Sequence, residues 1–141
     1  MSTLQQVPLI QLDGRRLYYM FVAGTHKVIE NQTKLNRINV FPVKDGDTGA
    51  NMAATLRAVI ESVRPQRSYK RTLDVIAETA LLNARGNSGI IFAQFLYGVS
   101  HETEESQQVA FEHFAESLQK AVRYVYEAVA HPVEGTMLTV I

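Results

Sequence analysis

Leu17, Met20, Phe21, Gly24 and Val28 recur at the spacing of one helix face, and the same rhythm returns in four later segments. Met52, Leu56, Val59, Ile60 and Val63 carry it next, followed by Leu73, Ile76, Ala77, Ala80 and Leu81. The apolar run from Ile90 to Val99 comes fourth, and Val109, Phe114, Leu118, Val122 and Val125 form the last stripe. Stripes of this period have to be buried against other helices. No segment alternates apolar and polar residues for long enough to make a strand, and no internal repeat is visible. The chain therefore reads as one all-α domain across residues 1–141, with about five full helices.

The punctuation between the stripes sets the boundaries. Asp13 reads as the N-cap of a first helix running to Glu30. Asn31 to Lys34 read as a break, and Leu35 to Val43 as a short apolar segment. Pro42 keeps that segment from regular helix, because it lacks an amide proton and restricts Phe41 before it. A second helix starts near Thr48 or Gly49 and ends before Pro65; Arg64, Arg67, Lys70 and Arg71 then read as a solvated basic connector. Thr72 reads as the cap of the third helix, and Asn83 to Gly98 as a turn followed by an apolar fourth. The fifth spans about Ser106 to Val129, with Glu102, Glu104 and Glu105 where they favour its start, and Pro132 ends it. A further helix begins just before Ile141, so the chain is expected to be a fragment, truncated before its last helices.

Composition narrows the function. Hydrophobic residues at 46% and charged residues at 20% are globular values, ample for a buried core. Fourteen basic side chains balance 14 acidic ones, which argues against a nucleic-acid partner, since such binders concentrate a basic excess on one face. Cysteine is absent, which excludes disulfides and thiolate metal sites. His26, His101, His113 and His131 share no metal-ligand spacing. The first residues lack a basic start followed by an apolar core, and Ile90 to Val99 is short and holds Gln94. The expectation is a cytoplasmic protein without membrane insertion.

Three turns of one chemical type precede helices. The first, FPVKDGDTGANM, puts Asp45 and Asp47 on either side of Gly46. Two loop carboxylates at this spacing suit a hard cation. An EF-hand would need glycine and glutamate where Ala50 and Leu56 stand, so magnesium, which needs few carboxylates, fits better. Gly49 would let a phosphate approach the backbone at the helix start, with Thr48 and Asn51 adding hydroxyl and amide contacts. A plain Asp/Gly turn capping the second helix accounts for the same residues. The second turn, Arg85-Gly86-Asn87-Ser88-Gly89, sets open amides beside a hydroxyl without the spacing of a Walker loop; it serves a phosphate or a tight helix connection. The third, Glu134-Gly135-Thr136-Met137, again places Gly and Thr at a helix start. Convergence of these helix starts at one end of a bundle is the hypothesis that joins them.

LNRINVFPVKDGDTGANM, NARGNSGIIFAQFLYG and PVEGTMLTV, in that order, resemble the DAK2 or DhaL family of nucleotide-binding domains, and within it the fatty acid kinase catalytic subunits of bacteria. The resemblance runs from about Leu17 to the last residue. It implies an antiparallel helical barrel or bundle with ATP or ADP and Mg2+ at one rim. It implies Asp45 and Asp47 as catalytic metal ligands. The dihydroxyacetone kinase branch carries a third aspartate five positions before the pair, where this chain has Val40; Asn39 is the substitute expected here. Nucleotide contacts carry over to Thr48, Gly49, Asn51, Gly86, Asn87, Ser88 and Gly89, with Thr136 and Met137 near the nucleotide.

The activity implied is phosphorylation of a fatty-acid carboxylate, held by a carrier protein of the DegV-like family, to give an acyl phosphate. A homodimer is one expectation for the full-length form. The alternatives are a dihydroxyacetone (glycerone) kinase subunit of DhaL type and a non-catalytic nucleotide-binding module. Thr48 stands where the dihydroxyacetone branch often has histidine, which favours the fatty acid kinase reading.

Overall fold

Helices carry the five stripes, except that Val109 of the last falls in a short strand before its helix. The structure, a computed structural model, describes residues 10–40, 44–132 and 136–141. The first nine residues, the lead-in Phe41, Pro42 and Val43, and Glu134 and Gly135 of the third turn lie outside the described residues. Helix α1 (Gly14–Glu30) starts at Asp13, whose carboxylate accepts the Arg16 amide at 2.9 Å. Helix α2 (Gln32–Ile38) follows after a single residue. The break read over Asn31 to Lys34 thus shrinks to Asn31, whose amide still bonds back to Lys27 and Val28 and whose carbonyl accepts Leu35 N–H. Then come α3 (Thr48–Ser62), α4 (Tyr69–Asn83), α5 (Gly86–His101), α6 (Phe111–Ala128) and the short α7 (Met137–Val140).

Two starts differ from the sequence reading. Ser68, not Thr72, caps α4, its hydroxyl accepting the Arg71 amide at 3.2 Å. Thr72 is buried one turn in, with its hydroxyl bonded to both the N–H and the C=O of Gln66 at 3.1 Å. Lys70 is no solvated connector either: its ammonium donates to Asp74 at 2.7 Å and to the Ser100 carbonyl at 2.6 Å. Helix α6 starts five residues later than Ser106, because Gln108–Ala110 form a strand, β2, antiparallel to β1 (Gln11–Asp13) with Val109 opposite Leu12. Three residues per strand are too few to show an alternating pattern. Glu102, Glu104 and Glu105 accordingly lie between α5 and β2, and Glu112 takes the first-turn position of α6.

Helix α4 is central, with Leu73, Ile76, Ala77 and Ala80 each 2% exposed or less. It packs on α1, α3 and α5, and α5 packs in turn on α3 and α6. Only residues 84 and 85 separate α4 from α5, so α5 has to double back along it. Leu81, read as inward, is turned to the surface, and Met20 is 44% exposed while still lining the apolar cavity between the helix faces. On α1 the buried line runs through Leu17 and Thr25 instead. The inner faces of α1, α3, α4, α5 and α6 leave an apolar cavity of about 340 Å³, lined by Leu56, Ile76 and Phe95 among others, and Thr25 lies on its wall. Among the described residues no helix is long and apolar enough to cross a membrane.

Candidate functional site

The first turn is built by the helix that precedes it. Gly46 has φ +65°, a left-handed conformation natural to glycine, and it separates Asp45 from Asp47 in the irregular stretch before α3. Both aspartates are exposed. Asp47 occupies the N-cap position of α3, yet its side chain makes no capping bond. Two asparagines of the α2 region do that work. Asn39 Oδ1 accepts the amides of Asp47 and Thr48, each at 3.0 Å, and Asn36 Oδ1 accepts the Ala50 amide at 3.0 Å. The Asp47 carboxylate is thereby released from capping.

The second turn lies against the first two turns of α3. Ser88, nearly buried, donates its hydroxyl proton to the Thr48 carbonyl at 3.3 Å, across 40 residues of sequence. The Arg85 amide donates to Thr55 Oγ1 at 3.0 Å, and Thr55 Oγ1 donates to the Asn51 carbonyl at 2.8 Å. Arg85 is the extended residue before α5 and supplies no side-chain cap, and among the described residues no side chain bonds the amides of Gly86, Asn87 and Ser88.

Glycine permits this approach. A Cβ on Gly86, itself at φ +63°, would lie 2.1 Å from Asn51 Nδ2, and one on Gly89 would lie 2.4 Å from Thr55 Oγ1. A Cβ on Gly49 would fall 2.2 Å from the Gln32 carbonyl. The open side of Gly49, expected to admit phosphate, is filled by α2; its smallness serves helix packing there. Both readings of these turns thus have a physical basis: the glycines join helices, and the joined turns leave polar groups at one rim.

The predicted residues sort accordingly. Asn39, Asp47, Thr48, Asn51, Gly86, Ser88 and Gly89 are brought together by the bonds and contacts above. Asp45 lies exposed two residues before Asp47, outside those bonds, and Asn87 is exposed on the first turn of α5. Thr136 caps α7, its hydroxyl accepting the Leu138 amide at 3.3 Å, and α7 rests on α5 with Leu138 buried. Met137 is half-buried at the start of that turn.

The donor set is all oxygen: the Asp45 and Asp47 carboxylates and the Thr48 hydroxyl. Among the described residues no group of three or more His, Cys, Asp or Glu is placed to hold a metal. Two carboxylates fit magnesium, which keeps its other positions for water and phosphate oxygens. Asn39 Oδ1 already serves two amides, so it reaches a metal only by giving one up.

Sequence reasoning passed over Asn36 and Thr55. Each left a signal. Thr55 is a polar residue on the buried side of a helix, between Met52 and Val59, and Asn36 is paired three residues ahead with Asn39.

A family model described as the DAK2 domain matches residues 42–141. Protein YloV of Bacillus subtilis strain 168 is 37% identical over 131 residues, covering 92% of this chain and 24% of the relative. An uncharacterized protein of Staphylococcus epidermidis strain ATCC 12228 is 36% identical over 134 residues, with the same two coverages of 92% and 24%. The MG369 homolog of Mycoplasma pneumoniae, also uncharacterized, is 37% identical over 131 residues, covering 86% of the chain and 24% of the relative. The chain thus spans about a quarter of the length of the curated relatives it matches.

Proposed function

Because the chain belongs to the DAK2 domain family, we propose that it is the nucleotide-binding module of a kinase, holding ATP or ADP with Mg2+ at the rim where α3 and α5 begin. The observation that carries this reading is the Ser88 to Thr48 hydrogen bond, which joins the two polar turns into one surface. Phosphoryl transfer asks a protein mainly to offset the charge of the triphosphate and to hold the donor in line with the acceptor. Asp45 and Asp47 would hold the magnesium, and Asn39 would join them by releasing an amide. When bound, the ion supplies charge neutralisation on the phosphate oxygens.

The chain's own groups do the orienting. Asn39 and Asn36 occupy the amides of Asp47, Thr48 and Ala50, so backbone donors for phosphate come from the uncapped start of α5, at Gly86, Asn87 and Ser88. The Gly89 amide already bonds the Arg85 carbonyl, and Gly89 serves by its smallness. The Asn51 carboxamide faces this turn from α3, and in this reading the Thr48 hydroxyl, Thr136 and Met137 add contacts to the nucleotide. No side chain here has to act as a covalent nucleophile.

For the acceptor, the reading is a fatty-acid carboxylate presented by a DegV-like carrier. A carboxylate oxygen attacks the terminal phosphorus, ADP leaves, and an acyl phosphate results. The Thr48 position and the full set of three motifs support this branch.

The test is calorimetric. ATP titrated into the chain should bind only with magnesium, and Asp45→Asn combined with Asp47→Asn should abolish that binding while the far-ultraviolet dichroism stays helical. Equal binding by the double variant overturns the metal assignment. Incubation of the chain with ATP, magnesium, a fatty acid and a carrier checks the acceptor: acyl phosphate supports it, and dihydroxyacetone phosphate formed from dihydroxyacetone under the same conditions points to the other branch.

A further inference from the structure

Thr55 is fully buried two turns into α3, and its side chain is the point where the two polar turns are tied. One of its bonds is ordinary: the hydroxyl donates to the Asn51 carbonyl four residues back, as helical threonines often do. The other is not local. The same oxygen accepts the amide of Arg85, 30 residues on and immediately before α5, at 3.0 Å. Gly89, at the far side of the second turn, clears space for that oxygen, since a Cβ there would approach it to 2.4 Å. Asn51, which receives the donated proton, faces Gly86 with its side-chain amide. One hydroxyl therefore reaches both flanks of the Gly86-Asn87-Ser88 turn and the α3 residue that faces its first glycine.

We infer that Thr55 is a positioning residue for the nucleotide site, its hydroxyl fixing the head of α5 against the head of α3. The inference rests on the nucleotide reading above and adds to it a residue that touches no ligand. Thr55 acts through Arg85 and Asn51. A hydroxyl is required because the two neighbours need opposite things: Arg85 offers a proton and the Asn51 carbonyl accepts one, and a single O–H satisfies both. A methyl of the same shape would leave the Arg85 amide facing a carbon, and the turn would have to shift to find another acceptor.

Affinity for Mg·ATP, measured by calorimetry alongside thermal melting, tests this on the unaltered chain and on Thr55→Val and Thr55→Ser. The valine variant keeps the shape and loses the oxygen; it should bind roughly tenfold more weakly. The serine variant keeps the oxygen and loses a packed methyl; it should bind within about twofold of the unaltered chain even though that loss lowers its melting temperature. A merely structural residue would rank the variants by stability, not by possession of the oxygen. The pair Thr55→Ser and Thr55→Ala repeats the comparison should valine not fold. Unaltered affinity in the valine variant, or serine binding as weakly as valine or alanine, overturns the inference alone. Absence of Mg·ATP binding by the unaltered chain overturns the nucleotide reading and this inference with it.

Discussion

Asn39 reaches eight residues ahead to cap α3, its one side-chain oxygen accepting the amides of Asp47 and Thr48 at 3.0 Å each. Capping from a distance separates two tasks that an aspartate at a helix start usually combines. The cap residue holds the helix, and the aspartate beside it keeps its charge for something else.

That separation is measurable. Asn39→Ala should lower the unfolding free energy by about 1–2 kcal/mol, the usual worth of an N-cap, in urea denaturation. Asn39→Asp should keep the acceptor but set a third carboxylate near Asp45 and Asp47, so its melting temperature should rise more on adding magnesium than that of the unaltered chain. Equal magnesium responses would show that residue 39 stands outside the cation's reach.

The glycines divide by what surrounds them. Gly24 lies inside α1 with nothing within 4 Å of where a Cβ would stand, so Gly24→Ala should stabilise by about 0.5–1 kcal/mol. Gly49→Ala and Gly89→Ala push a methyl against the Gln32 carbonyl and the Thr55 hydroxyl, and each should destabilise by about 1–3 kcal/mol. Thermal melting of the three variants checks the order.

Among the described residues two hydroxyls are buried with no hydrogen-bond partner, Thr25 Oγ1 beside the apolar cavity and Tyr69 Oη on α4. An unpaired buried hydroxyl is a liability, so Thr25→Val and Tyr69→Phe should each raise stability by about 1 kcal/mol in urea denaturation. A loss of stability in either variant would mean that an ordered water pairs the oxygen.

Tyr124 and Tyr69 should be late to ionise in an alkaline absorbance titration. The Tyr124 hydroxyl donates to the Glu102 carboxylate at 2.7 Å, which raises its pKa first of all, and burial adds to the effect. Desolvation by burial raises that of Tyr69. In both, the folded state favours the protonated phenol. The stabilisation is therefore whole below the ordinary tyrosine range and is lost as pH climbs through the raised folded values. Glu102→Gln should bring the Tyr124 transition back toward the ordinary range and leave Tyr69 unmoved.

Much of this molecule could be read from residues alone, and the parts that could not share a cause. The helix faces through Leu56 and Val59, and through Ile76 and Ala80, follow from spacing, because burial acts on every turn and repeats itself in the sequence. The caps at Ser68 and the strand at Gln108–Ala110 were misread because each is decided by partners far along the chain: Ser68 Oγ donates to the Ser106 carbonyl, and β2 exists only where β1 lies beside it. The site behaved likewise. Asp45, Asp47 and Ser88 announce themselves as polar residues in glycine-rich turns. The cap supplied by Asn36 and Asn39 and the tie made by Thr55 join residues 8 to 30 positions apart, so the local pattern marks these side chains as unusual without naming their partners.

The meeting of Thr48 and Ser88 also has an electrical side. Each helix places about half a positive charge at its beginning, from peptide dipoles pointing along its axis. With the heads of α3 and α5 in contact, those two partial charges fall together on a chain whose formal charge is zero. Attraction of this origin carries no ionisable group, so acidity and lysine modification leave it intact and only dissolved salt weakens it. Asp45 and Asp47 stand in the same place with the opposite sign, so an anion is welcomed there in proportion to the divalent cation that arrives with it.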